Sequence, residues 1–478
     1  MAISNKGTGV IPDSVIAALK GVLGSKYVLC DEASLDRYSI DALTLFSTSN
    51  SHPISPRVSA VVMPSTTREV SEIVKLADKN SIPLIPYGAG TGLMGAVTPT
   101  RGGIAVHMNR MNLIEQINVG DQNVVVQSGS ILGNVNTSLH EHGLMLGHDP
   151  YSLPIATVGG AISTNGVGYR ASKYGSMGNQ VLGLEVVLPS GDILQTRSVE
   201  KSSVGPSLAS VFVGSEGFFG IITKATLRAF PIPEARIFKT FSFGTFEKGF
   251  LALTNIFSSG LKPALIDLTE EPNPRVNTNE SDSLKRQPLL YMMFEGHLDE
   301  IEVQATHTST TCLDAGGVDI GPYLTEEYWN TRHDSAYKFK ETHIDNINPR
   351  PGGQINNIIA YPHLALPISE VLSCHTRCHE IAYSRNLTIR ECSLWTHPGL
   401  FSVVIEDTGL DDHNLQQAVG EIMDLAHNVG GSMEYVHGVG TKLYQLVDKE
   451  IGVGIKVLKA IKKHLDPNNI MNPGKLGL

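Results

Sequence analysis

Cysteine is scarce in this chain of 478 residues, which contains five, and their number and spacing match neither a disulfide framework nor a zinc knuckle. We therefore expect reduced thiols in an intracellular protein. No stretch approaches the roughly 20 apolar residues of a membrane span, and the beginning of the chain shows no signal-peptide core. Runs of Lys and Arg are also missing, and the net charge is −10. We expect a cytoplasmic protein with no integral membrane segment and no nucleic-acid partner.

Glycine is abundant, with 47 residues, many of them in clusters. Glycine clusters mark places where the backbone turns sharply or approaches another group closely. The chain is too long for one ordinary hydrophobic core, so we expect at least two domains.

The first regular unit has a strand–helix–strand pattern. Residues 58–64 are apolar and rich in β-branched side chains, and Thr66 with Glu69 forms a capping box before a helix with one apolar face. Residues 82–86 form the next strand. Further short strands and glycine-rich turns follow to about residue 230, and Ser190–Gly191 is predicted to be the turn of a hairpin. The last predicted helix covers residues 451–466. From Arg236 the order becomes β-α-β-β-α-β, which is a ferredoxin-like pattern, and more strands can widen that second sheet.

A glycine loop follows the second strand. Gly90, Gly92 and Gly95 have the spacing G-x-G-x-x-G, but Pro99 and two more glycines stand where a Rossmann fold needs a helix. This context argues against nicotinamide binding at the loop. Its free backbone N–H groups could still hold an anion, although the loop taken alone fits a hairpin without a ligand equally well.

Two more glycine-rich clusters favour ligand binding over a hairpin without a ligand. Residues 149–168 combine paired glycines with four hydroxyl side chains, and residues 211–233 surround Glu216 with glycines. Three such clusters without a P-loop lysine predict an extended, phosphate-bearing cofactor that is held largely by backbone groups.

The three clusters resemble the cofactor-binding segments of the vanillyl-alcohol-oxidase/p-cresol-methylhydroxylase flavoproteins (the VAO/PCMH family). PYGAGTGLMGAV resembles their pyrophosphate loop, and VFVGSEGFFGIIT resembles their F-x-G-S-E-G-x-x-G-I-I-T segment. HGVG at 437–440 and DPNNIMNPGK at 466–475 are similar to their closing motifs. The similarity runs from about Pro56 to the end. It is strongest to the branch of glycolate and D-lactate dehydrogenases and alkyl-dihydroxyacetone-phosphate synthase.

The resemblance implies an α+β fold with a two-subdomain, PCMH-type FAD-binding domain at 1–235. It also implies a ferredoxin-like substrate (cap) domain at 236–430 and a C-terminal return to the FAD domain at 431–478. The residues that it implies for FAD are Pro86, Tyr87, Gly88, Ala89, Gly90, Thr91, Gly92, Ser152, Thr157, Gly159, Gly160, Thr164, Asn165, Gly168, Tyr174, Glu216, Gly217, Ile221, Ile222 and Asn472. Family members that link FAD covalently through the loop have His near the position of Thr91, so we expect non-covalent FAD.

The resemblance also supplies catalytic candidates. His437 matches the active-site His of the family and is the candidate base for a substrate hydroxyl, and Arg332 resembles the substrate-binding Arg of the hydroxy-acid branch. That branch binds a metal through two His and a Glu, of which His397 remains here. One ligand of three does not form a site, so we expect no catalytic metal. Tyr361 is a further candidate for the substrate cavity, for which core packing is an equal alternative.

Two further histidines, His375 and His379, are four residues apart on a predicted helix with Cys374 and Cys378 alongside. This face could bind a metal, but a half-buried helix face is the simpler interpretation.

Taken together, these features predict an FAD-dependent oxidoreductase. It would oxidise an alcohol, a 2-hydroxy acid or a phenolic alcohol by hydride transfer to flavin N5. The alternative is a non-redox flavin-dependent transferase that resembles alkyl-dihydroxyacetone-phosphate synthase. The substrate is a small molecule, the electron acceptor is O2 or a separate carrier, and the family implies a homodimer.

Overall fold

The computed structural model describes residues 11–42, 56–270, 287–344, 358–409 and 412–478. The strands are β1 (Val28–Leu29), β2 (Ala60–Val62), β3 (Leu84–Tyr87), β4 (Ile104–His107), β5 (Ile114–Asn118), β6 (Asn123–Gln127), β7 (Leu144–Met145), β8 (Val181–Val187), β9 (Ile193–Gln195), β10 (Ile221–Arg228), β11 (Phe230–Pro231), β12 (Ala235–Ser242), β13 (Leu265–Glu270), β14 (Leu289–Gly296), β15 (Val318–Gly321), β16 (Ile358–Ala360), β17 (His363–Ala365), β18 (Thr388–Trp395) and β19 (Leu400–Asp407).

Helices connect and cover these strands. They are α1 (Asp13–Leu23), α2 (Glu32–Arg37), α3 (Thr67–Asn80), α4 (Leu132–His140), α5 (Val158–Thr164), α6 (Ala171–Tyr174), α7 (Met177–Gln180), α8 (Ala209–Phe212), α9 (Phe246–Ser258), α10 (Leu298–Asp314), α11 (Tyr323–Thr331), α12 (Asp334–Phe339), α13 (Val371–Ser384), α14 (Asp412–Asn428), α15 (Val447–Ile451) and α16 (Gly454–Leu465). Among the described residues, no helix is both long and apolar enough to cross a membrane.

The first sheet has the strand order β1-β2-β4-β3, with β2, β4 and β3 parallel. Helix α3 connects β2 to β3, as the strand–helix–strand pattern predicts, and Thr66 caps it by accepting the N–H of Glu69 at 3.1 Å. In a capping box, the Glu69 carboxylate would also accept the backbone N–H of Thr66, and this second hydrogen bond is not the one observed. The Glu69 carboxylate accepts the N–H of Ser65 instead of that of Thr66, because the chain turns one residue earlier.

The C-terminal segment completes this sheet at the free edge of β3. The N–H of Leu84 donates to the carbonyl of Ile470 at 2.7 Å, and the N–H of Asn472 donates to that of Leu84 at 2.8 Å. The backbone of residues 470–472 is therefore attached beside the glycine loop, more than 370 residues away in sequence. The helix predicted before it is broken at Gly452, whose φ of 57° ends α15 before α16 begins.

The second sheet is antiparallel, in the order β5-β6-β10-β8-β9. The predicted turn at Ser190–Gly191 joins β8 to β9, and Gly191 has the positive φ (84°) that this turn needs.

The third sheet is built from the second half of the chain. Its first four strands lie in the order β15-β12-β14-β13, which is the ferredoxin-like arrangement expected from the β-α-β-β-α-β pattern. Strands β18, β19, β16 and β17 then widen the sheet beyond β13. Helices α9, α10, α13 and α14 pack on this sheet. Helix and sheet are mixed throughout, which confirms the α+β fold class.

Candidate active site and cofactor cradle

The glycine loop opens onto a cavity at the carboxyl ends of two parallel strands. Strands β3 and β4 are neighbours and end at Tyr87 and His107, so both side chains reach the same edge of the sheet. The cavity has a volume of about 240 Å³, and its lining includes Tyr87, Gly88, Ala89, Gly90, His107 and Thr157. It places the first and second glycine clusters opposite each other.

Two glycines of the loop are required by this close approach. A Cβ at Gly88 would lie 2.4 Å from Thr157 Oγ1, and Gly90 has a φ of 68°. The Thr157 hydroxyl also accepts the N–H of Gly160, at 3.3 Å, where α5 begins. Glycine at position 88 lets the backbone of the loop approach Thr157 of the second cluster, and glycine at position 90 permits the positive φ of the turn.

Several buried polar groups could offer hydrogen bonds to a dinucleotide, and of their residues His107 lines the cavity. Within the part of the chain that the structure describes, no hydrogen-bond partner reaches Ser128 Oγ, Ser130 Oγ, His107 Nδ1, either ring nitrogen of His148, or Asn472 Oδ1. Buried polar atoms of this kind require a partner. Burial lowers the pKa of both His107 and His148 to about 4, so both are neutral at pH 7 and can each offer one donor and one acceptor. These groups fit FAD.

The residues assigned to FAD from the resemblance occupy different positions. Tyr87, Gly88, Ala89, Gly90 and Thr157 line the cavity. Pro86, Thr91 and Gly92 flank them in the loop, and Gly217 packs against Pro86. Ile221 and Ile222 are core residues at the start of β10. Six others lie along the second glycine cluster, which contains α5: Ser152, Gly159, Gly160, Thr164, Asn165 and Gly168. Tyr174 ends α6, just after the cluster. Their contacts with FAD, and its non-covalent attachment, stay predictions.

Glu216 connects the third cluster to the HGVG motif. Its buried carboxylate accepts the backbone N–H groups of Val439, at 2.5 Å, and Gly440, at 2.9 Å. Asn472, which was assigned to the isoalloxazine side, donates to the carbonyls of Ala96, at 2.9 Å, and Glu216, at 2.6 Å. Glu216 and Asn472 therefore position the loop that carries His437.

Substitution of Gly438 tests how strongly the contact between Glu216 and the HGVG loop stabilises the protein. It has a φ of 82°, and a Cβ there would lie 2.4 Å from Glu216 Oε1. Gly438→Ala is expected to destabilise the protein by about 1–3 kcal/mol, because it strains the backbone and displaces the carboxylate. Gly420→Ala is the matched control. It lies inside α14 with nothing within 4 Å of the added methyl group, and should stabilise by about 0.5–1 kcal/mol. Thermal unfolding measures both, and equal melting temperatures for the two variants would contradict the constraint.

His437 lies next to a second histidine and a buried carboxylate. Glu434 Oε1 is 3.7 Å from His437 Nδ1 and also accepts the backbone N–H of His437 at 2.9 Å. Burial alone would raise the pKa of Glu434, but the adjacent His437 imidazole and the backbone N–H of His437 lower it, so the carboxylate is charged. The His363 ring is 4.8 Å from that of His437, and burial lowers its pKa to about 3.

His437, Glu434 and His363 differ in exposure and in their partners, and this difference indicates which of them can act as a base. The His437 side chain is 22% exposed while that of Glu434 is 4% exposed, so His437 can meet a substrate and Glu434 stands behind it. His363 stays neutral and shares a hydrogen bond of 2.6 Å with Ser402 Oγ. The arrangement suits a histidine that accepts a proton and is stabilised by an adjacent carboxylate.

Aromatic side chains extend from this cluster toward Arg332. The Trp395 ring lies 6.3 Å from that of His363 and 6.4 Å from that of Tyr169. Tyr169 in turn contacts the ring of His333 at 6.1 Å and donates its hydroxyl to the carbonyl of Arg332 at 3.2 Å. A small pocket lies between Tyr169 and Trp395. The structure thus brings His437 and Arg332 to one aromatic surface.

The guanidinium of Arg332 is held by a buried carboxylate. Its Nε and Nη2 lie 3.1 and 3.0 Å from Asp149 Oδ2, and its plane covers the Trp329 ring at 3.6 Å. His333 Nε2 is 2.9 Å from Asp149 Oδ1, and Arg170 Nε is 3.7 Å from Oδ2. Asp149 and Arg170 come from the first half of the chain, whereas Arg332 and His333 follow α11. This ion cluster therefore joins the two halves.

The remaining candidates lie at the edges of this surface. His397 is in the turn between β18 and β19 and packs against the Phe257 ring at 4.6 Å, on α9. Tyr361 is 46% exposed between β16 and β17. Neither has a described contact with His437. Their catalytic roles, and the absence of a catalytic metal, stay predictions.

Several members of the site were not predicted from the sequence. His363, Asp149, Arg170 and Tyr169 were given no role in it. A signal existed for Asp149 and Arg170, since both flank the second glycine cluster. None existed for His363, because the backbone bridges of β17 to residues 432–434, just before the HGVG motif, bring it beside His437.

Comparisons with known proteins agree with this architecture. Residues 58–197 match a family model described as an FAD binding domain, and residues 232–476 match one described as the C-terminal domain of FAD linked oxidases. Mitochondrial D-lactate dehydrogenase (cytochrome) 1 of Saccharomyces cerevisiae is 29% identical over 97% of this chain and 80% of its own length. Glycolate oxidase subunit GlcD of Bacillus subtilis is 28% identical over 87% of this chain and 88% of its own.

Solved structures share the fold. Alkyldihydroxyacetonephosphate synthase superposes with a TM-score of 0.79 at 21% identity, covering 99% of this chain and 88% of that one. p-Cresol methylhydroxylase superposes with a TM-score of 0.76 at 20% identity, covering 98% and 96%. The cofactor cradle, the wide cap sheet and the match of the second family model to half of the chain all agree. The chain belongs to the FAD-linked oxidases, is an FAD-dependent oxidoreductase and shares the fold of p-cresol methylhydroxylase.

Proposed function

We propose that the protein oxidises a small 2-hydroxy acid to the corresponding 2-oxo acid. The observation that carries the proposal is the accessible His437 in front of the buried Glu434, with the His363 ring between His437 and Trp395. Relatives named D-lactate dehydrogenase and glycolate oxidase, at 28–29% identity, support the CH–OH group and the carboxylate. Two cations suit an acidic substrate: Arg332, and Lys442, whose charge interacts with Glu434.

The residues of the chain account for the proton movement. His437 accepts the proton of the substrate hydroxyl as the C–O bond gains double-bond character, and Glu434 stabilises the resulting imidazolium. Arg332 and Lys442 orient the carboxylate, and Trp395 and Tyr169 exclude water from the reacting carbon. FAD, when bound, supplies the acceptor for the two electrons and the hydrogen that leave that carbon.

The test is anaerobic reduction of the bound flavin by matched compounds. D-lactate or glycolate should bleach the flavin absorption, because each has a hydroxyl group and a hydrogen on the carbon beside the carboxylate. 2-Hydroxyisobutyrate is the control, since its carbon lacks that hydrogen and should leave the flavin oxidised. Bleaching by 4-hydroxybenzyl alcohol, but by no hydroxy acid, would move the substrate class to phenolic alcohols. No bleaching by any compound would favour the non-redox alternative.

The same sample identifies the electron acceptor. After bleaching, admission of air should restore the flavin within seconds if O2 is the acceptor. If a separate carrier is the acceptor, only an added dye should restore it quickly. A homodimer is part of the proposal, and light scattering on the FAD-loaded protein measures it.

A further inference from the structure

Four side chains of metal-ligand type meet in the cap, on the helix-covered face of its sheet. They are Glu270 on β13, His375 and His379 on α13, and Cys392 on β18, and one ligand atom from each lies within 4.8 Å of all the others. Cys392 and Trp395 are three residues apart on one strand, so their side chains point to opposite faces. Trp395 faces the active site. The cluster is therefore on the other side of the sheet from His437.

Sheet register and helix periodicity bring the four together. Glu270 and Cys392 are direct partners across β13 and β18, so their side chains leave the same face as neighbours. His375 and His379 are one helical turn apart on α13, which packs on β18. Phe246 stacks on the His375 ring at 4.3 Å with an interplanar angle of 5° and fixes its orientation.

The contacts within the cluster form two pairs. His375 Nε2 lies 2.9 Å from Glu270 Oε2, and His379 Nε2 lies 3.8 Å from Cys392 Sγ. Zinc bonds of about 2.0–2.3 Å in a tetrahedron place ligand atoms roughly 3.4 Å apart. The four ligand atoms now lie within 4.8 Å of one another, so the most distant of them would approach by roughly 1 Å to reach that separation.

We propose that Glu270, His375, His379 and Cys392 bind one zinc ion that ties α13 to β13 and β18. Two imidazoles, a thiolate and a carboxylate are ligands that borderline divalent cations prefer. The ion's two positive charges are balanced by the thiolate and the carboxylate, so the half-buried site is neutral. Binding releases the thiol proton of Cys392 to solvent. All four positions are filled by protein ligands, which is typical of a structural site.

The experiment uses the FAD-loaded, full-length protein. After treatment with a chelator and gel filtration, zinc sulfate is titrated and the bound zinc is measured by mass spectrometry. We expect one zinc per chain, and X-ray absorption at the zinc edge should show one sulfur among four ligands. The sulfur separates this site from His437 and Glu434, which have no thiol beside them among the described residues.

Paired variants complete the test. Cys392→Ser and His379→Gln should each weaken zinc binding at least ~100-fold while the flavin spectrum is kept. Cys374→Ala is the control, because this buried thiol on the same helix lies outside the cluster, and it should bind zinc like the wild type. If Cys392→Ser or His379→Gln loses its flavin, His375→Gln takes its place, and its zinc binding is measured in the same way. Zinc with no sulfur ligand, no tight zinc, or wild-type binding by both Cys392→Ser and His379→Gln would overturn the proposal.

Discussion

His437→Asn is expected to slow flavin reduction by the substrate about 10²- to 10⁴-fold, because it removes the group that accepts the hydroxyl proton. Asparagine keeps a polar side chain of similar size in the loop. The contacts of the backbone N–H groups of the loop with Glu434 and Glu216 do not involve the imidazole, so the fold and the FAD content should be kept. Anaerobic stopped-flow absorbance measures the rate, and the flavin-to-protein ratio checks the cofactor.

The matched control is His307→Asn, an exposed histidine on α10. It should reduce its flavin at the wild-type rate. Glu434→Gln completes the series. It removes the charge that stabilises the imidazolium but leaves the imidazole in place, so its rate should fall between those of the wild type and His437→Asn. A His437→Asn enzyme that is reduced as fast as the wild type would exclude His437 as the base.

Asp149→Asn is expected to destabilise the protein by about 3–5 kcal/mol, because it leaves the partly buried Arg332 guanidinium without its counter-charge, whereas Arg170 keeps Glu295 as a partner. Asp149 is 2% exposed and lies between Arg170, Arg332 and His333. Asparagine has nearly the same shape, so the loss reports charge and hydrogen bonding more than packing. Thermal or urea unfolding measures the change.

Asp424→Asn is the matched control. The Asp424 carboxylate pairs with Lys449 on the surface, and both side chains are about half exposed. Loss of such a pair should cost less than about 1 kcal/mol. If Asp149→Asn and Asp424→Asn were equally stable, the buried cluster would not hold the two halves of the chain together.

The pH dependence of the Asp149 effect has a definite sign. Burial alone would raise the pKa of Asp149, but His333, Arg170 and Arg332 hold it far below its usual range. The native carboxyl therefore binds its proton more weakly than the unfolded one, whose pKa is about 3.9. Its contribution to stability is fully present above that pH and is lost as the pH falls below it. The stability difference between wild type and Asp149→Asn should narrow below about pH 4 and stay constant between pH 6 and 8.

Local patterns in the sequence predicted the regular elements well. The period-3.6 apolar face after Thr66 became α3, and the turn at Ser190–Gly191 became the β8–β9 hairpin. The β-α-β-β-α-β order from Arg236 became the first four strands of the cap sheet. These features depend on side-chain spacing and turn chemistry within a few residues, which the sequence contains directly.

The candidate site was predicted in part, because its motifs are local while its contacts are not. The glycine loop and His437 were recognised from short motifs. The return of the Glu434 carboxylate to His437 depends on a tight turn, and the approach of His363 depends on the bridges between β17 and residues 432–434. Arg332 was recognised as a cation for the site, but its partner Asp149 is 183 residues earlier in the chain.

The proposed zinc site was likewise predicted only in part, because two of its four residues are distant in sequence from the helix. The spacing of His375 and His379 placed both on one helix face, and the sequence suggested Cys374 and Cys378 as their companions. In the structure, those two thiols are buried in the core, and Glu270 and Cys392 complete the cluster from two strands.

The amino-acid sequence by itself determined the family and the FAD cofactor, through motifs that resemble those of known flavoproteins. It also determined local elements such as α3 and the first four strands of the cap sheet, because these follow from the periodicity of apolar side chains. Tertiary structure decided which side chains meet: Glu216 with the HGVG loop, Asp149 with Arg332, and His363 with His437. The physical reason is that each of these contacts depends on strand register or on the docking of one half of the chain on the other. Neither is set by the residues near the contact in sequence.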